Sequence, residues 1–122
     1  MILVVDDNKT LSELVCRQMK DAGYSVEIAH DGECAHAILQ KRYDCKCVIL
    51  DMHMPKINGA ELLMLMAADG CDVPVIVMAA FEDFKQDQFR GFPNVKEFSP
   101  KPFEPEALLE KVQKLAPLHT GN

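Results

Sequence analysis

The sequence has no excess of basic residues. Thirteen Lys and Arg stand against nineteen Asp and Glu, a net charge of −6. No positive stripe is available to neutralise phosphates, which argues against nucleic-acid binding by this domain. The same balance suits an anionic membrane surface poorly. Long apolar runs are missing too: no segment approaches the roughly 18 consecutive apolar residues of a membrane span. After Met1 only four apolar residues, Ile2 to Val5, precede Asp6-Asp7, which is not the pattern of a signal peptide. Low-complexity tracts, linkers and sequence repeats are also absent. The five cysteines, Cys16, Cys34, Cys45, Cys47 and Cys71, are odd in number and irregularly spaced. In a chain able to bury its own core, that favours reduced thiols and a cytoplasmic location over a disulfide framework. Cys45-Lys46-Cys47 lacks the second pair a metal site would want, and on one strand both thiols would face the same side. The cysteines therefore read as structural.

What is present is an ordinary globular composition: 122 residues, 48% hydrophobic and 26% charged. That length makes one domain with a real core. Ile2–Val5 reads as a first strand. Asn8 then caps a helix with Leu11, Leu14, Val15 and Met19 at helical spacing, closed at Gly23. Tyr24–Ala29 alternates loosely and reads as an edge strand. Asp31-Gly32 opens a helix to about Lys41, with Ala35, Ile38 and Leu39 inward. A strand ending at Asp51 follows, then a helix from Ala60 to about Ala68, then a buried strand Val75–Ala79. Phe81–Gly91 suggests a short or irregular helix. Val95–Phe98 is a brief fifth strand ended by Ser99-Pro100-Lys101-Pro102, and Pro105 begins a last helix that stops near Pro117. Residues 1–118 form the domain and His119–Asn122 a polar tail. Strands alternating with helices imply an α/β, doubly wound five-stranded parallel sheet with helices on both faces.

The chemistry gathers at strand ends. Cys47 to Leu50 has no alternation, as in a strand buried on both faces, and it delivers Asp51 to its carboxyl end. Asp6 and Asp7 follow the first strand, Ala79 ends the fourth and Lys101 follows the fifth. Ligands bind at that edge of open α/β sheets, where the strand order reverses. Three carboxylates crowded there repel: at about 4 Å and an effective dielectric of about 20, each pair costs on the order of 4 kcal/mol. A divalent cation such as Mg²⁺ relieves this through carboxylates, carbonyls and retained waters. Lys101 adds a point charge suited to a phosphoryl oxygen. An aspartate held between the two is a sensible nucleophile towards an activated phosphoryl group. Taken singly, Asp-Asp after a strand is ordinary loop, and a strand-end Asp is as often a turn former. Their joint placement carries the reading. His30, His36 and His119 read as surface residues, and His53 offers its backbone carbonyl as readily as its ring.

These residues resemble the receiver domain of two-component response regulators over essentially the whole chain. The motifs are Val4-Val5-Asp6-Asp7-Asn8, Asp51-Met52-His53-Met54-Pro55 with Gly59, and Lys101-Pro102-Phe103. The resemblance implies a flavodoxin-like sheet in the order 2-1-3-4-5, for which a receiver is itself a type example. It also implies that Asp51 is the phosphoacceptor, served by a sensor histidine kinase or phosphotransfer protein. Asp6, Asp7, Asp51 and the His53 carbonyl would hold Mg²⁺, with Lys101 pairing with the phosphoryl group. Phe98 matches the aromatic that turns inward on activation. One position departs: Ala79 stands where the family usually has Thr or Ser. That hydroxyl bonds a phosphoryl oxygen, so its absence implies phosphorylation with a muted or rewired response. Phe81, two residues on, would screen the site from water.

Output by protein binding, to a downstream protein or a fused output domain, is the leading reading, with no enzymatic turnover of its own. A pseudo-receiver that docks without phosphate is the alternative that Ala79 favours and Asp6, Asp7, Asp51 and Lys101 oppose. A Mg²⁺-dependent phosphohydrolase of the haloacid-dehalogenase type would want Asp two residues after Asp51, where His53 stands, and room for a cap.

Overall fold

Strands covered on both faces need apolar side chains at every position, and β1 (Ile2–Val5) and β3 (Cys47–Asp51) are buried throughout. The computed structural model describes residues 1–52, 59–80, 91–101 and 104–118. Three further strands, β2 (Val26–Ala29), β4 (Val75–Ala80) and β5 (Val95–Lys101), pair with these in parallel in the order 2-1-3-4-5. Four helices are present among the described residues: α1 (Lys9–Asp21), α2 (Gly32–Lys41), α3 (Gly59–Ala68) and α4 (Pro105–Leu115). Residues 81–90 of the helix expected in Phe81–Gly91 lie outside them, as do His53, Phe103 and the tail.

Alternate strand residues feed two separate cores. Leu3, Val5, Val48, Leu50, Val75 and Val77 pack with Ala35 of α2 and Leu62, Leu63 and Met66 of α3. Ile2, Val4, Ile49, Ile76 and Met78 pack with Val15 and Met19 of α1 and Leu108 and Val112 of α4. The chain therefore leaves β1 for one face and β3 for the other, which opens a crevice between their carboxyl ends.

The caps follow the local chemistry. The Asn8 side chain accepts from the Leu11 N–H at 3.0 Å, and Asp31 accepts from Cys34 N–H at 2.7 Å. At the end of α1, Gly23 has φ 105°, its N–H bonds the Lys20 carbonyl, and Tyr24 N–H reaches back to Met19. This double closure needs a residue free of Cβ strain.

Four expectations need correcting. Leu14 is 58% exposed, because Ser12, Val15, Cys16 and Met19 take the inner face of α1. The Ser12 hydroxyl is satisfied there by the Lys9 carbonyl at 3.0 Å. β2 starts at Val26 rather than Tyr24, whose hydroxyl donates to the Ala116 carbonyl at 2.7 Å. β5 runs on to Lys101: Pro100 pairs with Ala79, and an edge strand tolerates a proline because only one side needs donors. Cys45 and Cys47 lie in opposite cores, since Cys45 precedes the regular strand and escapes its alternation.

Candidate functional site

The register sets the acidic residues side by side. Val5 pairs with Leu50, so Asp6 and Asp51 leave adjoining strands at the same level. Asp6 is 0% and Asp51 2% exposed, whereas Asp7 faces solvent. One carboxylate oxygen from each of the three lies within 4.8 Å of the others. β5 extends far enough to bring Lys101 level with Ala80, and its Nζ stands 3.1 Å from Asp51 Oδ1. Four of the expected residues thus converge at the crevice.

Asp6 has the least settled surroundings. Its Oδ1 accepts from the Asn8 N–H at 2.9 Å, while its buried Oδ2 has no hydrogen-bond partner. Burial pushes its pKa up; the Asn8 N–H opposes this, the Asp51 charge adds to it and Lys101 counters it. A buried orphan oxygen beside two further carboxylates fits a hard divalent cation that prefers oxygen ligands.

Gly59 determines how closely α3 approaches the site. A Cβ there would stand 2.7 Å from Met52 Sδ and 2.8 Å from Met52 Cα. The Gly59 N–H donates to the Met52 carbonyl at 3.3 Å, tying the start of α3 to the residue after Asp51. His30, expected on the surface, is exposed, but its Nδ1 lies 3.1 Å from the Asp6 carbonyl. Sequence offered no signal for that contact, because it joins the ends of two neighbouring strands. His36 is half-buried, with Nε2 2.6 Å from Asp69 Oδ2 at the other end of the sheet.

Ala79 is 1% exposed and paired with Pro100, so neither residue of this pair carries a polar side chain. Phe98 is 40% exposed, and its carbonyl accepts from Lys111 Nζ of α4 at 2.6 Å. Cys47 is pushed up to about 12, chiefly by burial, and Cys45 is raised for the same reason. Both are protonated thiols at neutral pH, as structural cysteines should be. No helix among the described residues is long and apolar enough to cross a membrane.

Residues 2–113 match the family model described as the response regulator receiver domain. Among curated proteins, the response regulator MprA of Mycobacterium avium is 36% identical over 116 residues, covering 93% of this chain. The chain spans about half the length of that relative (50%). Among solved structures, the chemotaxis response regulator CheY4 of Vibrio cholerae superposes with a TM-score of 0.83 at 30% identity, covering 93% of this chain and 96% of that one. A response regulator receiver protein from Pseudomonas putida gives 0.83 at 26% identity, covering 93% and 94%.

Proposed function

The chain belongs to the family of response regulator receiver domains, and from that premise we propose that it takes a phosphoryl group onto Asp51 from a partner phosphohistidine. The observation that carries this reading is the Asp51–Lys101 pair at 3.1 Å beside the orphaned oxygen of Asp6. A nucleophilic carboxylate, a cation for the transferred group and an unfilled oxygen ligand then meet at one rim.

In the transfer, an Asp51 oxygen attacks phosphorus in line with the bond to the imidazole nitrogen. The O–P bond forms as the P–N bond breaks, and the imidazole leaves with the electron pair and takes up a proton. Lys101 orients the Asp51 carboxylate beforehand and pairs with the phosphoryl oxygens afterwards. Mg²⁺, when bound, would be held by Asp6, Asp7, Asp51 and the His53 carbonyl and would neutralise charge on the phosphoryl oxygens. Asn8 keeps Asp6 oriented through its N–H while its own side chain anchors α1.

Ala79 shapes the output. A hydrogen bond to a charged group is worth about 1.5–3 kcal/mol, and two-state switches are commonly poised by a few kcal/mol. Without a hydroxyl on Ala79, phosphorylation pulls on β4 less, and the response is muted. The domain, residues 1–118, is a cytoplasmic signalling module rather than an enzyme. It is served by a sensor histidine kinase or phosphotransfer protein and read by a downstream protein or output domain. The buried methyl of Ala79 also favours a second reading, a pseudo-receiver that docks without phosphate.

Intact-protein mass after incubation with acetyl phosphate separates the two. A single phosphoryl adduct that requires Mg²⁺ and is lost in Asp51→Asn is the expected result. A folded protein that binds Mg²⁺ yet gains no mass would establish the pseudo-receiver instead.

A further inference from the structure

The ladder between β1 and β2 runs out at the acidic rim. Past the paired strands, the Asp6 N–H still reaches the Ala29 carbonyl at 3.0 Å. The Asp6 carbonyl then turns to a side chain: His30 Nδ1 stands 3.1 Å from it. A carbonyl can only accept, so Nδ1 carries the hydrogen and donates. The backbone that carries this ring is held on both sides. Ala29 is fixed in β2, and Asp31 caps α2 by accepting from the Cys34 N–H at 2.7 Å.

Three bonds thus pin the turn around Asp7. They are the Asp6 N–H on Ala29, the Asp6 carbonyl on His30, and the Asn8 N–H on Asp6 Oδ1 at 2.9 Å. The Asp6 carbonyl shares a peptide plane with the Asp7 N–H, so fixing one fixes the other. Asp6 is buried and placed by its packing, whereas Asp7 faces solvent and its carboxylate goes where the backbone carries it. That carboxylate is one of the three whose oxygens lie within 4.8 Å of one another.

We infer that His30 is a positioning residue for Mg²⁺: by holding the Asp6 carbonyl it sets the Asp6–Asp7 peptide and keeps the Asp7 carboxylate with those of Asp6 and Asp51. The inference rests on the reading of the acidic rim as the Mg²⁺ site of a phosphoacceptor. His30 acts through Asp7 rather than on the ion. It raises affinity by removing backbone freedom that binding would otherwise have to restrain.

The test titrates Mg²⁺ into isotope-labelled wild type, His30→Leu and His30→Asn, following backbone amide shifts. No phosphoryl donor is present, so a failure of transfer to Asp51 is not mistaken for a failure at His30. Leucine keeps much of the bulk without a donor, and asparagine returns an amide N–H close to where Nδ1 stands. His30→Leu is expected to weaken Mg²⁺ by about five- to tenfold, below the roughly 10–100-fold lost with a partner bonded directly to a ligand. His30→Asn should recover the affinity to within about twofold of wild type on the same basis. Imidazole nitrogen shifts of the metal-free wild type should place a hydrogen on Nδ1. A bond of purely structural value would lower the metal-free melting temperature of His30→Leu and leave Mg²⁺ affinity unchanged, which would overturn the assignment. Failure of His30→Asn to recover the affinity, or a bare Nδ1, would overturn it as well.

Discussion

The carboxylate of Asp6 is fully buried, with one oxygen on the Asn8 N–H and none for the other. Leaving a buried polar group unpaired costs about 1–3 kcal/mol. Asp6→Asn removes the negative charge from beside Asp51 and is expected to raise stability without Mg²⁺ by about 1 kcal/mol on that basis. The same change should abolish the Mg²⁺-dependent rise in melting temperature; thermal unfolding with and without the ion reads both effects. Cys47 makes a pH prediction of definite sign. Its thiol ionises near 9.0 in the unfolded chain and near 12 when folded. Between those values the unfolded state loses a proton that the folded state keeps, so stability falls as pH rises, by at most about 1.4 kcal/mol per pH unit for this group. Denaturant melts from pH 8 to 11 should show that slope, and Cys47→Val should flatten it.

Elements were legible where their signals are local. Asn8 and Asp31 cap the helices they precede in sequence, and Gly23 closes α1, because capping is settled within a few residues of chain. Leu14 was misread because Leu11, Leu14, Val15 and Met19 fit one helical stripe by spacing alone. The inner face is instead chosen by which residues meet β1 and α4. The extension of β5 through Pro100 was equally hidden, since a proline stops a strand or is tolerated in it according to whether the strand is at an edge. Tyr24 links elements far apart in the chain through its bond to the Ala116 carbonyl. Tyr24→Phe should therefore cost about 1–2 kcal/mol. It should also speed hydrogen exchange in the last turn of α4, while amides of β3 keep their order of protection.

For the whole molecule, the open question is how far a change at Asp51 travels. In the register, Asp51 faces Met78 and Ser99 across the sheet, while Ala79 faces Pro100. Lys101 at the end of β5 is the polar contact with Asp51 that reaches across β4. Phosphorylated wild type is expected to show small changes in hydrogen exchange over Val95–Lys101 and α4. Ala79→Thr should enlarge them several-fold at equal phosphorylation. A full response in the phosphorylated wild type would remove the case for a muted switch.

The sequence by itself determined the α/β pattern, the burial of Cys47–Leu50 and Val75–Ala79 as strands covered on both faces, and the strand-end positions of Asp6 and Asp51. Each of these is written in periodicity or punctuation over a few neighbouring residues. Only the tertiary structure decided that Asp6 keeps an orphaned oxygen, that Lys101 reaches Asp51, and that Gly59 admits α3 against Met52. It also sent Cys45 and Cys47 into separate cores and set His30 against the Asp6 carbonyl. The physical reason is the same in each case. Distances between residues remote in the chain are set by strand register and by the face on which each helix returns, and local pattern specifies neither to the ångström.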